Sequence, residues 1–249
     1  MSKKEFIFGF HAVASILEKA PERVLQLFML EGRDDKRLQS VMQLANNQHI
    51  PYQVLSRIQL DKKAENGKHQ GVIIEVRSLP IKDEKYLLSL IKKLAKPAFL
   101  LLLDEVQDPH NLGACLRSAD AAGVDAVIIT QNRSVGMTPV VRKIASGAAE
   151  TTPLITVTNL ANTLRKLKEE GIWIYGLDGR ATQTIYDTDL KGPIGLVLGA
   201  EGEGLRRLTR DLCDGLLAIP MQGSVTSLNV SVAAGVCLFE AFRQRLYSA

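Results

Sequence analysis

The sequence predicts an α/β protein whose larger part is a mostly parallel sheet covered by helices. From residue 98 onward, short apolar runs alternate with stretches of helical spacing, the order expected when each strand is followed by a helix. The runs are almost continuously apolar, which is typical of strands buried on both faces. With 249 residues, 46% of them hydrophobic, the chain can build one large core or two modest ones.

Six apolar runs in this part are predicted as strands: Ala98–Leu103, Val124–Ile129, Leu154–Val157, Ile172–Leu177, Ile194–Leu198 and Leu216–Ile219. Gly123 and Gly171 are placed as C-terminal stops of the intervening helices. A final helix is predicted over Leu228–Leu246. It ends in Arg243 and Arg245, whose charges suit the negative end of the helix dipole.

The first 78 residues follow a different pattern. Val24–Leu30 and Val72–Val76 are predicted as strands, and Asp35–Asn46 has helical spacing. The segment Asp61–Gly71 is polar, basic and contains glycine, so we expect an exposed loop. Lys62, Lys63, Lys68 and His69 in this loop are candidate RNA contacts, although a charge cluster of this kind is commonly just a solvated loop.

These patterns divide the chain into three parts. We expect one domain over residues 1–78, a linker and first helix over 79–97, and a second domain over 98–249. Within the middle part, Tyr86–Leu94 has apolar residues at helical spacing.

Charge and cysteine usage set limits on function. The net charge of +4 permits an anionic partner without requiring one. The three cysteines are far apart and form no Cys-x-x-Cys pair, so neither a thiolate metal site nor a redox motif is indicated. The start lacks a signal-peptide pattern, and the longest apolar run is too short for a bilayer. We therefore expect a cytoplasmic protein without a metal or a membrane segment.

Three strand-to-helix segments carry the chemistry. The first, Asp104–Arg117, places Asn111 where it can cap the following helix and Arg117 in the second turn, near the loop. On this segment alone, a capped helix with a surface arginine is the favoured interpretation.

The second segment, Leu198–Leu205, has the sequence LGAEGEGL. Its glycines let the backbone approach a ligand closely. The dinucleotide pattern Gly-x-Gly-x-x-Gly is absent, and two carboxylates beside the loop would repel a pyrophosphate. A neutral or cationic ligand such as S-adenosylmethionine, which has a sulfonium and no phosphate, fits better. A glycine-rich turn with solvated glutamates stays open.

The third segment, Ile219–Ser231, leaves a strand through small polar residues and leads into the final helix. Ser227 or Asn229 could cap that helix, which is the usual role of such residues. A ligand-binding loop is the sharper hypothesis.

Together, in this order and on these elements, the three segments resemble the motifs of the SpoU family of RNA 2′-O-methyltransferases, of the SPOUT superfamily. The resemblance covers about Ala98 to Arg245. Asp108–Gly123 and Gly199–Asn229 look like the branch that methylates a guanosine of bacterial 23S rRNA. Phe8–Val13 and His69–Ile73 are similar to that branch's substrate-binding domain, although less diagnostic.

The resemblance implies several properties that periodicity does not. It implies a knotted (trefoil) methyltransferase domain, where periodicity alone would predict an open doubly wound sheet. A small α/β ribosomal-protein-like RNA-binding domain should precede it. It further implies S-adenosyl-L-methionine as cofactor, 23S rRNA or a large-subunit precursor as substrate, and a homodimer with the active site near the interface.

The resemblance also implies roles for individual residues. Arg117 corresponds to the family's essential arginine. Backbone groups of Gly199, Ile219 and Leu228 should hold the cofactor. Polar positions around the reacting centre should be Asn111, Glu201, Ser227 and Asn229.

The chemistry of a ribose hydroxyl constrains what Arg117 can do. A guanidinium stays protonated in ordinary protein sites, so it is a poor base. Our hypothesis is that Arg117 grips the adjacent phosphate by a bidentate bond, while the phosphate or a water accepts the proton. Asn111 would position the ribose, and Glu201 would orient Arg117 or Asn111. Methyl transfer from a sulfonium needs alignment more than a metal.

Three alternatives stay open. A non-catalytic ribosome-assembly factor could retain the shape of the enzyme, and absence of cofactor binding would reveal it. A nucleotide-dependent oxidoreductase is disfavoured by the missing Gly-x-Gly-x-x-Gly, and an NADH titration would decide. A tRNA 2′-O-methyltransferase of the same fold is disfavoured by the separate N-terminal domain.

Overall fold

A computed structural model describes residues 4–33, 35–64, 69–77, 82–200, 202 and 204–246. The strands are β1 Lys4–Phe8, β2 Val24–Leu30, β3 Tyr52–Leu55, β4 Val72–Arg77, β5 Phe99–Asp104, β6 Ala126–Thr130, β7 Leu154–Val157, β8 Trp173–Leu177, β9 Gln183–Thr184, β10 Ile194–Gly199 and β11 Gly215–Ala218. The α-helices are α1 Phe10–Lys19, α2 Lys36–Asn47, α3 Arg57–Lys63, α4 Glu84–Ile91, α5 Pro109–Ala121, α6 Pro139–Ala145, α7 Ala148–Thr151, α8 Leu160–Glu169, α9 Arg207–Leu212 and α10 Val230–Leu246.

The chain forms two compact units. Unit 1 comprises Met1–Pro80 together with Pro139–Thr151, and unit 2 comprises Ile81–Thr138 together with Thr152–Ala249. Because this division follows packing rather than chain continuity, the boundaries expected at 78 and 98 stay a prediction. In unit 1, Arg142 and Glu150 of the inserted segment pair with Arg23 and Glu5 of the N-terminal part.

Unit 1 contains a four-stranded sheet in the order β1-β4-β2-β3. Strand β4 runs antiparallel to β1 and β2, while β3 is parallel to β2. Helices α1 and α2 pack on one face, where Leu27 and Ile74 belong to the core. The other face is covered by α3, whose Leu60 packs with Phe28 and Ile73. Both faces of β4 are therefore buried, which explains its run of apolar residues.

Unit 2 contains a seven-stranded sheet in the order β7-β6-β5-β10-β8-β11-β9 within the described residues, and every pairing in it is parallel. All six residues of β5 are buried. Helix α10 buries Ala234, Cys237 and Ala241, and the small residues among these allow close packing against α5. The predicted α/β class with a parallel sheet is confirmed; the knot stays a prediction.

Most predicted elements are confirmed to within two or three residues. Strands β2 and β7 have the expected bounds, and positive φ angles of 74° at Gly123 and 79° at Gly171 end helices α5 and α8 as expected. Strands β1, β3 and β9 were missed. Strand β3 lies at a sheet edge with three of its four residues exposed, so it has no apolar run to reveal it.

Two local predictions were wrong. Asp61–Gly71 is not wholly an exposed loop, because α3 continues to Lys63 and His69 is buried; residues 65–68 lie outside the described part. Asn111 does not cap α5. The side chain of Asp108 accepts from the backbone of His110, and Pro109 is the first helical residue, where its fixed φ is favourable.

Candidate active site

The three segments singled out in the sequence follow strands β5, β10 and β11. The carboxyl ends of parallel strands meet at one edge of the sheet, so the segments emerge on the same side. A cavity of about 810 Å³ opens there, within the range of small-molecule sites. Unit 2 therefore has a cavity where an α/β sheet is expected to bind a ligand.

The cavity brings together all three residues expected to hold a cofactor. Gly199, Ile219 and Leu228 all line it, and so do Ser227 and Asn229. Glu201 lies outside the described residues. The three predicted cofactor positions and two of the four predicted polar positions thus lie around one cavity.

Gly199 cannot carry a side chain in this geometry. A Cβ atom on it would lie 2.0 Å from the carbonyl carbon of Gly204 and 2.4 Å from the nitrogen of Leu205. The chain turns back on itself here, and the nitrogen of Gly204 donates to the oxygen of Ala200 at 2.9 Å. Gly202 and Gly204 have φ angles of 81° and 68°, which favour glycine. The glycines therefore build the turn that forms one wall of the cavity.

Asn111 and Asn229 are joined, although 118 residues separate them. Asn229 Nδ2 donates to Asn111 Oδ1 at 2.9 Å. Asn229 Oδ1 in turn accepts from the nitrogen of Ser231 at 2.9 Å, as a helix cap does. Asn229 therefore caps α10 and also fixes the side chain of Asn111 in α5. The geometry is therefore compatible with two roles for Asn229, as the cap of α10 and as a polar residue near the reacting centre.

Arg117 lies on α5 in an exposed position. Because the helix begins at Pro109, this arginine is in the third turn rather than the expected second. Its guanidinium has no hydrogen bond or ion pair within the described residues, and it does not line the cavity. The group is consequently available to an external anion.

The loop after β8 adds charged residues that the sequence reasoning missed. Asp178, Arg180 and Arg210 line the cavity, and Arg210 Nη2 lies 2.8 Å from Asp178 Oδ2. Burial alone would raise the pKa of Asp178, but hydrogen bonds from Arg180 and the charges of Arg210 and Arg180 hold this pKa below its ordinary value. The sequence does contain a pattern that predicts this position, because Asp178 directly follows a predicted strand, as the three strand-to-helix segments do.

Comparison with known proteins identifies the family. Residues 98–239 match the model of the SpoU rRNA Methylase family, and residues 6–81 match that of RNA 2′-O ribose methyltransferase substrate binding. The chain belongs to the SpoU rRNA methylase family. The resemblance seen in its three segments is thereby confirmed.

Relatives of this SpoU protein match it over nearly its whole length. It is 54% identical over 245 residues to the 23S rRNA (guanosine-2′-O-)-methyltransferase RlmB of Shewanella oneidensis, covering 98% of this chain and 99% of the relative. Identity to RlmB of Escherichia coli K12 is 54% over 241 residues, covering 97% and 99%.

Solved structures show the same fold. The SpoU methyltransferase AviRb from Streptomyces viridochromogenes, solved in complex with AdoMet, matches with a TM-score of 0.80 at 23% identity, covering 98% of this chain and 91% of that one. A crystal structure of an RNA 2′-O ribose methyltransferase matches with a TM-score of 0.79 at 25% identity, covering 98% and 90%.

The substrate-binding part of this SpoU protein contains the four candidate RNA contacts. Lys62 is exposed at the end of α3. The ammonium of Lys63 lies 4.1 Å from the ring centroid of Phe28 and 5.1 Å from that of Phe6, so it is engaged inside unit 1. Lys68 is outside the described residues.

His69 has both ring nitrogens occupied. Its Nδ1 accepts from the nitrogen of Gly71 at 3.0 Å, and its Nε2 lies 2.9 Å from Asp61 Oδ1. The residue is only 7% exposed. This geometry favours a structural role, in which the ring holds the start of β4 to α3, over direct contact with RNA.

The described residues contain no group of three or more histidines, cysteines and acidic residues that could hold a metal ion. Among the helices of the described part, none has the length and apolar composition to cross a membrane.

Proposed function

We propose that this protein transfers a methyl group from S-adenosyl-L-methionine to the ribose 2′-hydroxyl of a guanosine in bacterial 23S rRNA, during ribosome biogenesis. The observation that carries the proposal is the 54% identity over both family regions to proteins named as 23S rRNA (guanosine-2′-O-)-methyltransferases. The N-terminal match to a substrate-binding model supports an RNA substrate, either 23S rRNA or a large-subunit precursor.

The cavity suits S-adenosylmethionine. Its volume of about 810 Å³ is sufficient, and its wall combines apolar Ile219 and Leu228 with charged Asp178 and Arg210. The buried Nε of Arg210 has no partner in the described part of the chain, so the wall keeps an unused hydrogen-bond donor. Gly199, Ile219 and Leu228 would hold the cofactor through backbone groups. When bound there, it supplies a methyl group activated by a positively charged sulfonium.

The protein's own residues would orient the nucleophile. The exposed Arg117 would grip a substrate phosphate by a bidentate bond, because its guanidinium is unpaired within the described residues and remains protonated. Asn111, held by Asn229, would position the ribose. Ser227 and Glu201 complete the proposed polar set, with Glu201 orienting Arg117 or Asn111. Contact with the rest of the RNA is proposed for Lys62 and Lys68, with Lys63 and His69 supporting that surface from within unit 1.

We also propose a homodimer formed through α10. Val232, Phe239 and Leu246 are 51%, 46% and 56% exposed, and they are seven residues apart, which aligns them on one face. A second copy is the proposed occupant of this apolar stripe. Phe239→Glu should yield monomers in light scattering, while Leu208→Glu, at an equally exposed leucine on α9, should not. Dimers of both variants would contradict the proposal.

The free cysteines Cys115, Cys213 and Cys237 agree with a reducing compartment, and we propose the cytoplasm, where the rRNA substrate occurs.

The decisive experiment is methyl transfer from radiolabelled S-adenosylmethionine to unmodified 23S rRNA, with tRNA assayed in parallel. We expect label on a ribose 2′-oxygen of 23S rRNA. Label on tRNA alone would overturn the substrate. Cofactor binding without label on either RNA would point to an assembly factor.

A further inference from the structure

A buried carboxylate lies beside the glycine turn of the cavity. Asp104 is the last residue of β5, only 1% exposed, and it pairs in register with Gly199 of β10. Arg206 Nη2 lies 2.6 Å from Asp104 Oδ1, and Arg206 Nε donates to Oδ2 at 3.2 Å. Thr209 Oγ1 also donates to Oδ2, at 2.8 Å. Oδ2 thus accepts two hydrogen bonds from the segment that follows the turn. Oδ1, which makes the ion pair with Arg206, has no hydrogen-bond partner in the described residues.

A second carboxylate extends this contact. Arg206 Nη1 lies 2.9 Å from Glu105 Oε1, and Glu105 Oε2 lies 3.6 Å from Arg133 Nη1. Glu105 is 7% exposed and has a φ of 65°, in the left-handed region that is unusual for a residue other than glycine. Such backbone conformations persist only where the surroundings impose them, and they cluster at ligand sites. The ion pair with Arg206 is one such constraint.

The turn between Gly199 and Arg206 is therefore anchored at both ends. It leaves β10 at Gly199 and folds back through Gly204. Leu205, 5% exposed, then enters the hydrophobic core, and Arg206 reaches the carboxylate next to the starting point. Gly199, Ala200, Gly202, Gly204 and Leu205 all line the cavity, whereas Arg206 does not. Arg206 therefore contacts the segment that forms the cavity wall without lining the cavity itself.

We propose that Arg206, clamped between Asp104 and Glu105, is a positioning residue that fixes the glycine turn in the conformation that binds the cofactor. The inference rests on the proposed function, since it names what maintains the cofactor site. Ion pairing with Asp104 leaves the guanidinium charged, because the hydrogen bond to Asp104 raises the pKa of Arg206. The planar guanidinium of an arginine is required at this position, because it contacts Asp104 and Glu105 at the same time.

The test compares Arg206→Met and Arg206→Lys with Arg207→Met. Arg207 is the neighbouring arginine, its side chain is 96% exposed, and it contacts only Asp211, at 3.8 Å, in the described residues. The dissociation constant of S-adenosylmethionine is measured by calorimetry below the unfolding temperature. Arg206→Met should raise it about tenfold, in the range for residues coupled through one network, and the Lys variant should be intermediate. Arg207→Met should leave it unchanged.

A further variant is needed in case Arg206→Met does not fold, because that substitution leaves Asp104 buried without its counter-charge. Glu105→Gly removes one carboxylate but suits the left-handed backbone and keeps the Asp104–Arg206 pair. It should raise the dissociation constant about threefold, because it weakens part of the same network. Hydrogen exchange of the amides of Gly202, Gly204 and Leu205 should accelerate in the Arg206→Met and Glu105→Gly variants.

The outcomes separate the inference from the function on which it rests. If the wild-type protein binds cofactor and neither Arg206→Met nor Glu105→Gly changes the dissociation constant, the ion pairs of Arg206 serve only the stability of the fold. That result would overturn the inference. Failure of the wild-type protein to bind cofactor would overturn the proposed function and the inference together.

Discussion

Arginine and carboxylate side chains form two clusters with different exposure. In unit 1, Arg23 and Arg142 alternate with Glu5 and Glu150, so that each carboxylate lies between two arginines. The two arginine side chains are 8% and 10% exposed. In unit 2, the side chain of Arg206 is 45% exposed, and Arg117 is exposed without a partner in the described residues.

The difference separates arginines that hold the fold from Arg117, whose guanidinium is free to bind an anion. Arg206 is itself ion-paired and supports the cavity wall. The ring in unit 1 pairs two buried arginines with Glu150 and the partly exposed Glu5, so its contribution is to stability and to the conformation of unit 1. An exposed guanidinium contributes little to stability and remains available for an anion. The two regions should therefore respond oppositely to mutation, one losing stability and the other losing rate.

The largest effect is expected from breaking the ring in unit 1. Arg142→Met leaves Glu5 and Glu150 to share Arg23, so that two carboxylates face one positive charge. This should lower the free energy of unfolding by about 3 kcal/mol. Urea denaturation measures this loss. The turnover number of the folded protein at low temperature should stay near that of the wild type. Lys143→Met, at the exposed neighbouring position, is the control and should change neither quantity.

At Arg117 we expect the opposite result, a loss of turnover without a loss of stability. Arg117→Ala should lower single-turnover methyl transfer by about 100- to 1000-fold, as loss of one charge-stabilising donor does. Its thermal unfolding should match that of the wild type, because the side chain is exposed. Arg117→Lys tests the planar fork, and near-full turnover in that variant would remove the need for it. An Ala variant that retains half of the turnover would exclude a central role.

Substitution of Asn229 should affect both stability and turnover, and two different substitutions distinguish these effects. Asn229→Ala removes the cap of α10, which should cost about 1 kcal/mol of stability, and it also frees Asn111. Asn229→Asp keeps the acceptor for Ser231 but loses the donor to Asn111. It should therefore retain stability and lose turnover. Equal turnover of the Asp variant and the wild type would assign Asn229 to capping alone.

The smallest effect is expected at the cysteines. Burial raises the pKa of Cys115, Cys213 and Cys237 to about 12, so at pH 8 these groups are neutral thiols rather than reactive thiolates. N-ethylmaleimide should leave the native protein unmodified and active, whereas in urea all three should react. Mass spectrometry counts the adducts, and a modified, inactive native protein would contradict the expectation.

The sequence was most informative where strands are buried on both faces. Val24–Leu30 and Leu154–Val157 were located to the residue, because such strands form continuous apolar runs. The exposed edge strand Tyr52–Leu55 has no such run and was missed. The cap of α5 was misplaced at Asn111 because Asp108 is a competing cap, and the following proline decides between them.

The sequence by itself determined the α/β class, the family and the two segments that supply Gly199, Ile219 and Leu228 to one cavity. These follow from local patterns, since periodicity and short motifs are written in neighbouring residues. Only the tertiary structure decided that Asp104 meets Arg206, that Arg23 meets Glu150, and that Asn229 holds Asn111. Each pair spans more than 100 residues, and no local propensity specifies which distant charge or amide a side chain will contact.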